Sequence, residues 1–516
     1  MAKENKTLKT TLTITVIIII SKLVGFVREM VLAAYFGQSV QSDAYVTSYG
    51  IISIFTILFG AAIGSTFIPI YTKTRLNDGE DSANRYASNI LNLYILAAIA
   101  TSILGYIFAP QICGLIWQGE EGLDLTVRLS RFMFPSLVFW AVSGVFVNIL
   151  NARKKFIPEQ LMGFALSFCV ILACVLFSDI DAVAIATTAA AAVQILILLP
   201  FLRKEFHYKR SLNIKDDSVK RTFILAVPAL ISMAFDEINH QADRFFGSAL
   251  GTGVVSALSR SYTLVQAVVS VLIIPITTVM FSELSGYAAK NEMGKLKETV
   301  RKSLEIIALM TLPIIVLSLI TGSDIIGIFY ERGQFTHEDT LFTAPVFSMY
   351  ILGIFAFGMR NFLTRVYYSL QLTRIPMILG IISVSINIGL DILLKGPLGA
   401  MGLTLATSIA SSCGAIMMIV VLRKKLGRMG LSSSIKQFLK ILLSAAVCAA
   451  VSWLIYRWLG GLVTGGRFAD QLVRFLITGF AGLAVYMCVA FLLKVDAARK
   501  LGGIVKRKLR RNRANS

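Results

Sequence analysis

Charge is scarce in this 516-residue chain: Asp, Glu, Lys and Arg supply 15% of the residues, against 56% hydrophobic ones. Mean hydropathy is +0.74, a value that a soluble globule could not reconcile with keeping apolar surface out of water. Histidine is nearly missing, and His207, His240 and His337 are too scattered to build a metal cluster. The six cysteines all fall in apolar stretches without CxxC spacing, which argues against both disulfides and a thiolate metal site. No GxxxxGK[ST], GxSxG or HExxH pattern occurs, so neither nucleotide hydrolysis nor common hydrolase chemistry has its usual residues. These absences exclude a separate soluble catalytic unit and point to transport driven by an ion or membrane gradient, not to an enzyme.

Long apolar runs fill the chain instead. Spans are expected at about 11–36, 44–71, 87–116, 126–151, 158–178, 182–202, 222–250, 253–284, 304–330, 341–370, 375–394, 398–422, 437–458 and 471–493. Each is long enough to cross roughly 30 Å of hydrocarbon at about 1.5 Å per residue. The fold class is therefore an all-α polytopic membrane protein of about fourteen transmembrane helices. The first run resembles a signal peptide, but its length, Lys22 and Arg28 indicate that it is retained. With both termini inside, the inner segments hold 36 of the 50 Lys and Arg residues and the outer loops four, as the positive-inside rule demands. The net charge of +21 is thus a topology signal, not a nucleic-acid surface, and the basic tail at 506–511 is expected to lie against anionic headgroups.

Two weak internal matches place a duplication at an offset of 210 to 218: AYFG at 34–37 with RFFG at 244–247, and NARKKFIP at 151–158 with SLQLTRIP at 369–376. They divide the chain into an N-terminal six-helix lobe (1–210), a C-terminal six-helix lobe (211–428), two extra helices (429–494) and a basic cytoplasmic tail (495–516). The extra pair is read as nearly free of interior charge, with no ionic pair, so that a cut near Lys425 leaves a folded twelve-span core.

Ionisable side chains inside the spans mark function by default, because an unpaired one costs several kcal/mol. Arg28 and Arg260 each lie about eight residues from the outer end of a span, roughly 12 Å deep at helical rise. Two guanidiniums at matched depth suit a diphosphate; the alternative is internal pairing, Arg28 with Glu29 or Asp43 and Arg260 with Asp243. Asn387 and Asp391, four apart, share a helix face, and Asp243 and Thr407 fall at similar depth. Those oxygens form a candidate sodium site or a protonatable pair; the alternative for Asp391 is exposure at the outer interface.

Beyond these charges, SKLVGFVREMVLAAYFG at 21–37, SDAY at 42–45, NILNARKKFIP at 148–158, IFYERGQFTHEDT at 328–340 and RVYYSLQLTRIP at 365–376 carry a resemblance. From about Ser21 to Lys424 the chain resembles the MurJ (MviN) family of lipid II flippases, in the multidrug/oligosaccharidyl-lipid/polysaccharide exporter superfamily. That resemblance implies cavity and outer-gate roles for Lys22, Arg28 and Asp43, beside which Glu29 and Arg260 are the further candidate substrate-binding residues, and a sodium site from Asp243, Asn387, Asp391 and Thr407. It also implies a groove for the polyprenyl tail along the last two spans. The chain departs from the family at Thr56 and Thr263, where arginines are usual; Arg260 precedes Thr263 by one turn on the same face.

The expected function is a flippase moving an undecaprenyl-diphosphate-linked saccharide, lipid II, to the outer leaflet by alternating access in a bacterial plasma membrane. Membrane lipids and the cell-wall synthesis machinery are the expected partners, and Na⁺ is the only candidate cofactor. The competing readings are a flippase for exopolysaccharide or teichoic-acid precursors and a cation-coupled multidrug exporter, which would more naturally present an acidic cavity.

Overall fold

A computed structural model describes residues 2–59, 61–119, 121–213, 215–427, 431–460 and 467–499. Every regular element among them is a helix, as the bilayer requires: without water to satisfy them, backbone groups must bond within their own segment. The order is α1 (Ala2–Phe36), α2 (Val40–Phe59), α3 (Ala61–Ile107), α4 (Ala109–Ile116), α5 (Leu123–Met133), α6 (Ser136–Ala152), α7 (Ile157–Phe177), α8 (Ile180–Leu202), α9 (Asp217–Ser248) and α10 (Val254–Val268). A single π-helical turn (Val269–Ile273) leads into α11 (Ile274–Ala289), then α12 (Met293–Tyr330), α13 (His337–Ile351), α14 (Ile354–Ser369), α15 (Arg374–Leu398), α16 (Ala400–Leu426), α17 (Leu431–Gly460) and α18 (Arg467–Leu492).

Nine of these helical stretches are long and apolar enough to cross a membrane, and two bent pairs, α5 with α6 and α13 with α14, bring the number to eleven. Hydropathy predicts fourteen passes; among the described residues nine to eleven stretches are of that kind, and α1, α2 and α9 are not among them. One expected loop is different. Residues 72–86 continue helically from the second pass into the third inside α3, interrupted by Gly79 at φ 86° and ψ 175°. Only glycine takes that backbone geometry readily, so the reversal is confined to a single residue.

Two compact units emerge: one of residues up to Ser256 together with Arg332–Thr336, the other of Ala257–Glu331 and the chain from His337 onward. In the first, Phe67 stacks on Tyr71 and Tyr86 with ring centroids 5.4 and 5.3 Å apart. One polar face of α3 grips the extended connection between α8 and α9. Asn84 and Ser88 accept from the backbone N–H groups of His207 and Lys209 at 3.4 and 2.9 Å. Asn89 exchanges bonds of 2.7 and 2.8 Å with the backbone of Asn213, and Asn92 donates to the Ser211 carbonyl at 2.7 Å. A segment read as a basic loop is thereby held along its length. α9, which opens the C-terminal lobe in the duplication, packs in this first unit on α2, α3 and α4.

The second unit is organised around α12, which contacts α11, α13, α14, α17 and α18. Small residues let α17 and α18 approach closely: a Cβ on Gly482 would overlap Ser452 and Leu317. Tyr486 of α18 donates to the Leu309 carbonyl at 3.0 Å. The last pair, read as nearly free of interior charge, is nevertheless tied to α12 by an ionic contact: Arg474 on α18 donates to Asp324 on α12 at 2.7 Å. Asp324 is 97% covered, with 3% of its side chain exposed, and the guanidinium carbon of Arg474 sits 5.7 Å from the Tyr456 ring centre. The partner of Arg474 lies 150 positions earlier in the chain, beyond the reach of any local pattern.

A cut near Lys425 therefore strips a buried carboxylate of its counter-ion. Arg474→Ala alone is expected to cost roughly 3–5 kcal/mol, the usual penalty for orphaning a buried charge. Adding Asp324→Asn should return most of the lost melting temperature in detergent. Equal destabilisation of the single and double variants would show that the pair contributes nothing through its charge.

Candidate functional site

In the first unit α2 is a wall shared by α1 and α9. From α1, Arg28 donates through Nε and Nη2 to Oε1 of the adjacent Glu29 at 3.2 and 2.6 Å. Of the two internal partners open to Arg28 in sequence, the structure gives Glu29. Lys22, two turns earlier, is exposed. On the α2 side Tyr45 lies against Thr187 with their oxygens 3.1 Å apart, and Tyr49 stands within electrostatic reach of Arg28 and Glu29. From α9, Glu237 accepts from Ser53 at 2.6 Å and Gln241 at 2.7 Å, and Arg244 Nη1 lies 3.7 Å from the same oxygen. Neither Ser53 nor Gln241 stood out in sequence, since a hydroxyl or amide in an apolar span carries no charge signal.

Asp43, 2% exposed, accepts the backbone N–H of Gly253 at 2.6 Å and of Ser256 at 2.7 Å. Its carboxylate thus satisfies donors that the start of α10 leaves open, and its charge meets the positive end of that helix. The segment Arg332–Thr336 docks nearby on the end of α1, where Gln334 N–H donates to the Ala34 carbonyl at 2.7 Å. Gly37 at φ 52° and Gly333 at φ 60° allow that close crossing; a Cβ on Gly333 would overlap the Ala34 carbonyl.

In the second unit Arg260 on α10 is 5% exposed, and its carbonyl accepts from the Tyr330 hydroxyl at 3.4 Å. Asp391 (0% exposed) and Asn387 (1%) do share one face of α15, with the amide donating to the carboxylate at 3.0 Å. Asp391 is therefore enclosed, not at an exposed interface. Thr407 is buried on the adjacent α16 and donates to the Leu403 carbonyl at 3.1 Å. Asp243, the fourth oxygen ligand named in sequence, is buried on α9 of the first unit. Among the described residues no group of three or more His, Cys, Asp and Glu side chains could hold a metal ion, so any cation on α15 would depend on amide and hydroxyl oxygens, ligands suited to Na⁺.

A further polar knot was not foreseen. Glu331, just past α12, receives bonds from Thr340 at 2.9 Å and Gln471 at 3.2 Å, and meets His337 and Arg467 at 3.1 and 3.2 Å. Burial works to raise its pKa, but the hydrogen bonds from His337, Thr340 and Gln471 prevail and hold the carboxyl below its ordinary value.

A family model described as "Lipid II flippase MurJ" matches residues 32–471. The chain belongs to the lipid II flippase MurJ family. Relatives include the probable lipid II flippase MurJ of Rickettsia prowazekii (strain Madrid E), 27% identical over 92% of this chain and 96% of the relative. The MurJ relative of Thermotoga maritima is also 27% identical, over 96% and 98% of the two chains. Among solved structures, a lipid II flippase MurJ in an inward closed conformation superposes with a TM-score of 0.79 at 23% identity, covering 94% of this chain and 99% of that one. An inward-facing multidrug resistance MATE family transporter of the MOP superfamily follows at 0.66 and 13%, covering 80% and 96%. Both share this MurJ family fold.

Within that MurJ fold the clearest structural role among the expected site residues belongs to Asp43. Asp43→Ala should destabilise the protein by about 1–2 kcal/mol, the range for a lost helix cap. Asp43→Asn should cost less, because one acceptor oxygen remains. Melting curves that rank the asparagine variant with alanine would show that the second oxygen and its charge carry the cap.

Proposed function

We infer that this chain is a flippase that carries lipid II, the undecaprenyl-diphosphate-linked peptidoglycan precursor, from the inner to the outer leaflet by alternating access. The observation that carries this reading is the family match across residues 32–471 of a chain with nine to eleven helical stretches, among its described residues, long and apolar enough to cross a membrane. Transport, not catalysis, is the proposed chemistry: the protein moves the intact precursor and breaks no bond in it. The bacterial plasma membrane, both termini cytoplasmic, is the proposed setting, supported by the placement of Lys and Arg in alternate loops. Cell-wall synthesis machinery is the proposed downstream partner, since flipped lipid II must be consumed outside.

Na⁺ is proposed to bind at Asn387 and Asp391 of α15 with Thr407 of α16. What supports this reading is that Asn387 donates to the buried Asp391 carboxylate on one face of α15 and that Thr407 is buried on the adjacent α16, so that oxygen ligands lie on two packed helices. Bound there, Na⁺ would supply charge compensation that ties α15 to α16.

Proteoliposomes containing the full chain should move lipid II between leaflets, with the rate and melting temperature rising on Na⁺ addition. Asp391→Asn should remove the Na⁺ response of both. Lipid II movement no faster than in empty vesicles would sink the flippase reading, whereas movement indifferent to Na⁺ in wild type and variant alike would sink only the sodium site.

A further inference from the structure

The connection between α8 and α9 is held by α3 in an extended course beside an open cavity of about 420 Å³. Alternate residues turn their backbone to the helix: the N–H groups of His207, Lys209 and Asn213 are taken by Asn84, Ser88 and Asn89. Asn92 extends the same polar face, donating to the Ser211 carbonyl at 2.7 Å and accepting from the Tyr208 hydroxyl at 3.2 Å. The intervening residues Tyr208, Arg210 and Leu212 line the cavity from one side, and Asn92, Ile95 and Leu96 of α3 line it from the other.

That lining combines two chemistries. Arg210 is exposed and makes neither an ion pair nor a hydrogen bond with another described residue. Its neighbours' charges are matched already: Lys209 reaches Asp81 at 3.0 Å, and Glu205 is held by Arg153 and Lys155 at 3.1 and 2.7 Å. An uncommitted guanidinium beside a tyrosine, where an apolar span meets a basic connection, suits a lipid phosphate. Beyond Leu96 the same face of α3 continues through Ile99, Ile103 and Ile107, all exposed and spaced by three or four residues. The stripe runs roughly 16 Å at helical rise, near half the thickness of a hydrocarbon core, so it lies alongside a single leaflet.

We propose that this cavity binds an anionic diacyl phospholipid of the surrounding bilayer, with the phosphate on Arg210 and an acyl chain along Leu96, Ile99, Ile103 and Ile107. A soluble partner could cover Arg210, but it could not reach an isoleucine stripe inside a membrane span. A net negative headgroup is favoured over a zwitterionic one, whose own cation competes for the phosphate and is repelled by Arg203, Lys204, Lys209, Arg210 and Lys215 of the connection. A cavity of this volume has room for a small polar headgroup. The bound lipid ties α3 to the stretch that leads into α9, whichever cargo the protein carries.

The test follows the melting temperature of the purified full chain in detergent during titration with dioleoylphosphatidylglycerol, dioleoylphosphatidylcholine, dioleoylglycerol or undecaprenyl phosphate. A ligand that binds the folded state raises that temperature as it saturates, which yields an apparent affinity. Wild type should bind phosphatidylglycerol about tenfold more tightly than phosphatidylcholine, and dioleoylglycerol least. Arg210→Gln should weaken phosphatidylglycerol binding by about tenfold, the loss of one charge-assisted contact, and leave the lipid-free melting temperature unchanged; Arg210→Lys should fall between. Lys204→Gln removes another exposed cation of the same connection, outside the cavity, and should keep wild-type affinity. Equal affinity of wild type for phosphatidylglycerol and phosphatidylcholine overturns the site. An equal loss in Lys204→Gln and Arg210→Gln also overturns it, leaving only diffuse charge attraction. Binding of undecaprenyl phosphate through Arg210, with none of phosphatidylglycerol, overturns the phospholipid and gives the cavity to a polyprenyl lipid.

Discussion

An ionised group inside a bilayer must find a counter-charge, a hydrogen-bonded cage or water, and the architecture of this protein follows from how it meets that demand. Each compact unit contains polar knots that tie helices far apart in sequence. In the first, Glu237 joins α9 to α2 through Ser53, and Asp43 joins α2 to the start of α10. In the second, Asp324 and Arg474 join α12 to α18, and Glu331 gathers α13 and α18 at the end of α12. Apolar packing among such helices is only weakly selective in lipid, where hydrocarbon competes for the same contacts. The ionic and hydrogen-bonded knots supply the register that packing alone leaves loose.

That economy connects the fold to its work. A carrier of a charged headgroup needs cations within the membrane, yet cannot keep them bare when no substrate is bound. Arg28 is accordingly paired with Glu29, and Arg244 lies 3.7 Å from Glu237 of its own helix. The apolar exterior needs no such device: exposed Leu, Ile and Phe on α7, α17 and α18 face a solvent that matches them. Division of the surface in this way suits a lipid whose tail stays in hydrocarbon while its polar end crosses.

Much of this was legible in sequence because it depends on local patterns. Hydropathy marks an all-helical membrane chain, of which nine to eleven stretches among the described residues are long and apolar enough to cross, and four-residue spacing predicts that Asn387 and Asp391 meet, as they do at 3.0 Å. The family was visible in tracts such as ERGQFTHEDT, whose glycine allows the tight crossing beside Ala34. What stayed hidden depends on distant partners or on uncharged groups. Residues 72–86 read as a loop because they are polar, although only Gly79 departs from helix. The ion pair of Arg474 was not visible because Asp324 is 150 residues away. Asn84, Ser88, Asn89 and Asn92 are an ordinary polar face until the backbone of 207–213 lies along them.

The central claim is that the cargo is lipid II, and depletion in living cells tests it most directly. As the protein is withdrawn, the account predicts that lipid II accumulates on the cytoplasmic leaflet and peptidoglycan synthesis falls. Accumulation of a different polyprenyl-linked sugar, with lipid II turnover and peptidoglycan synthesis unchanged, would contradict it.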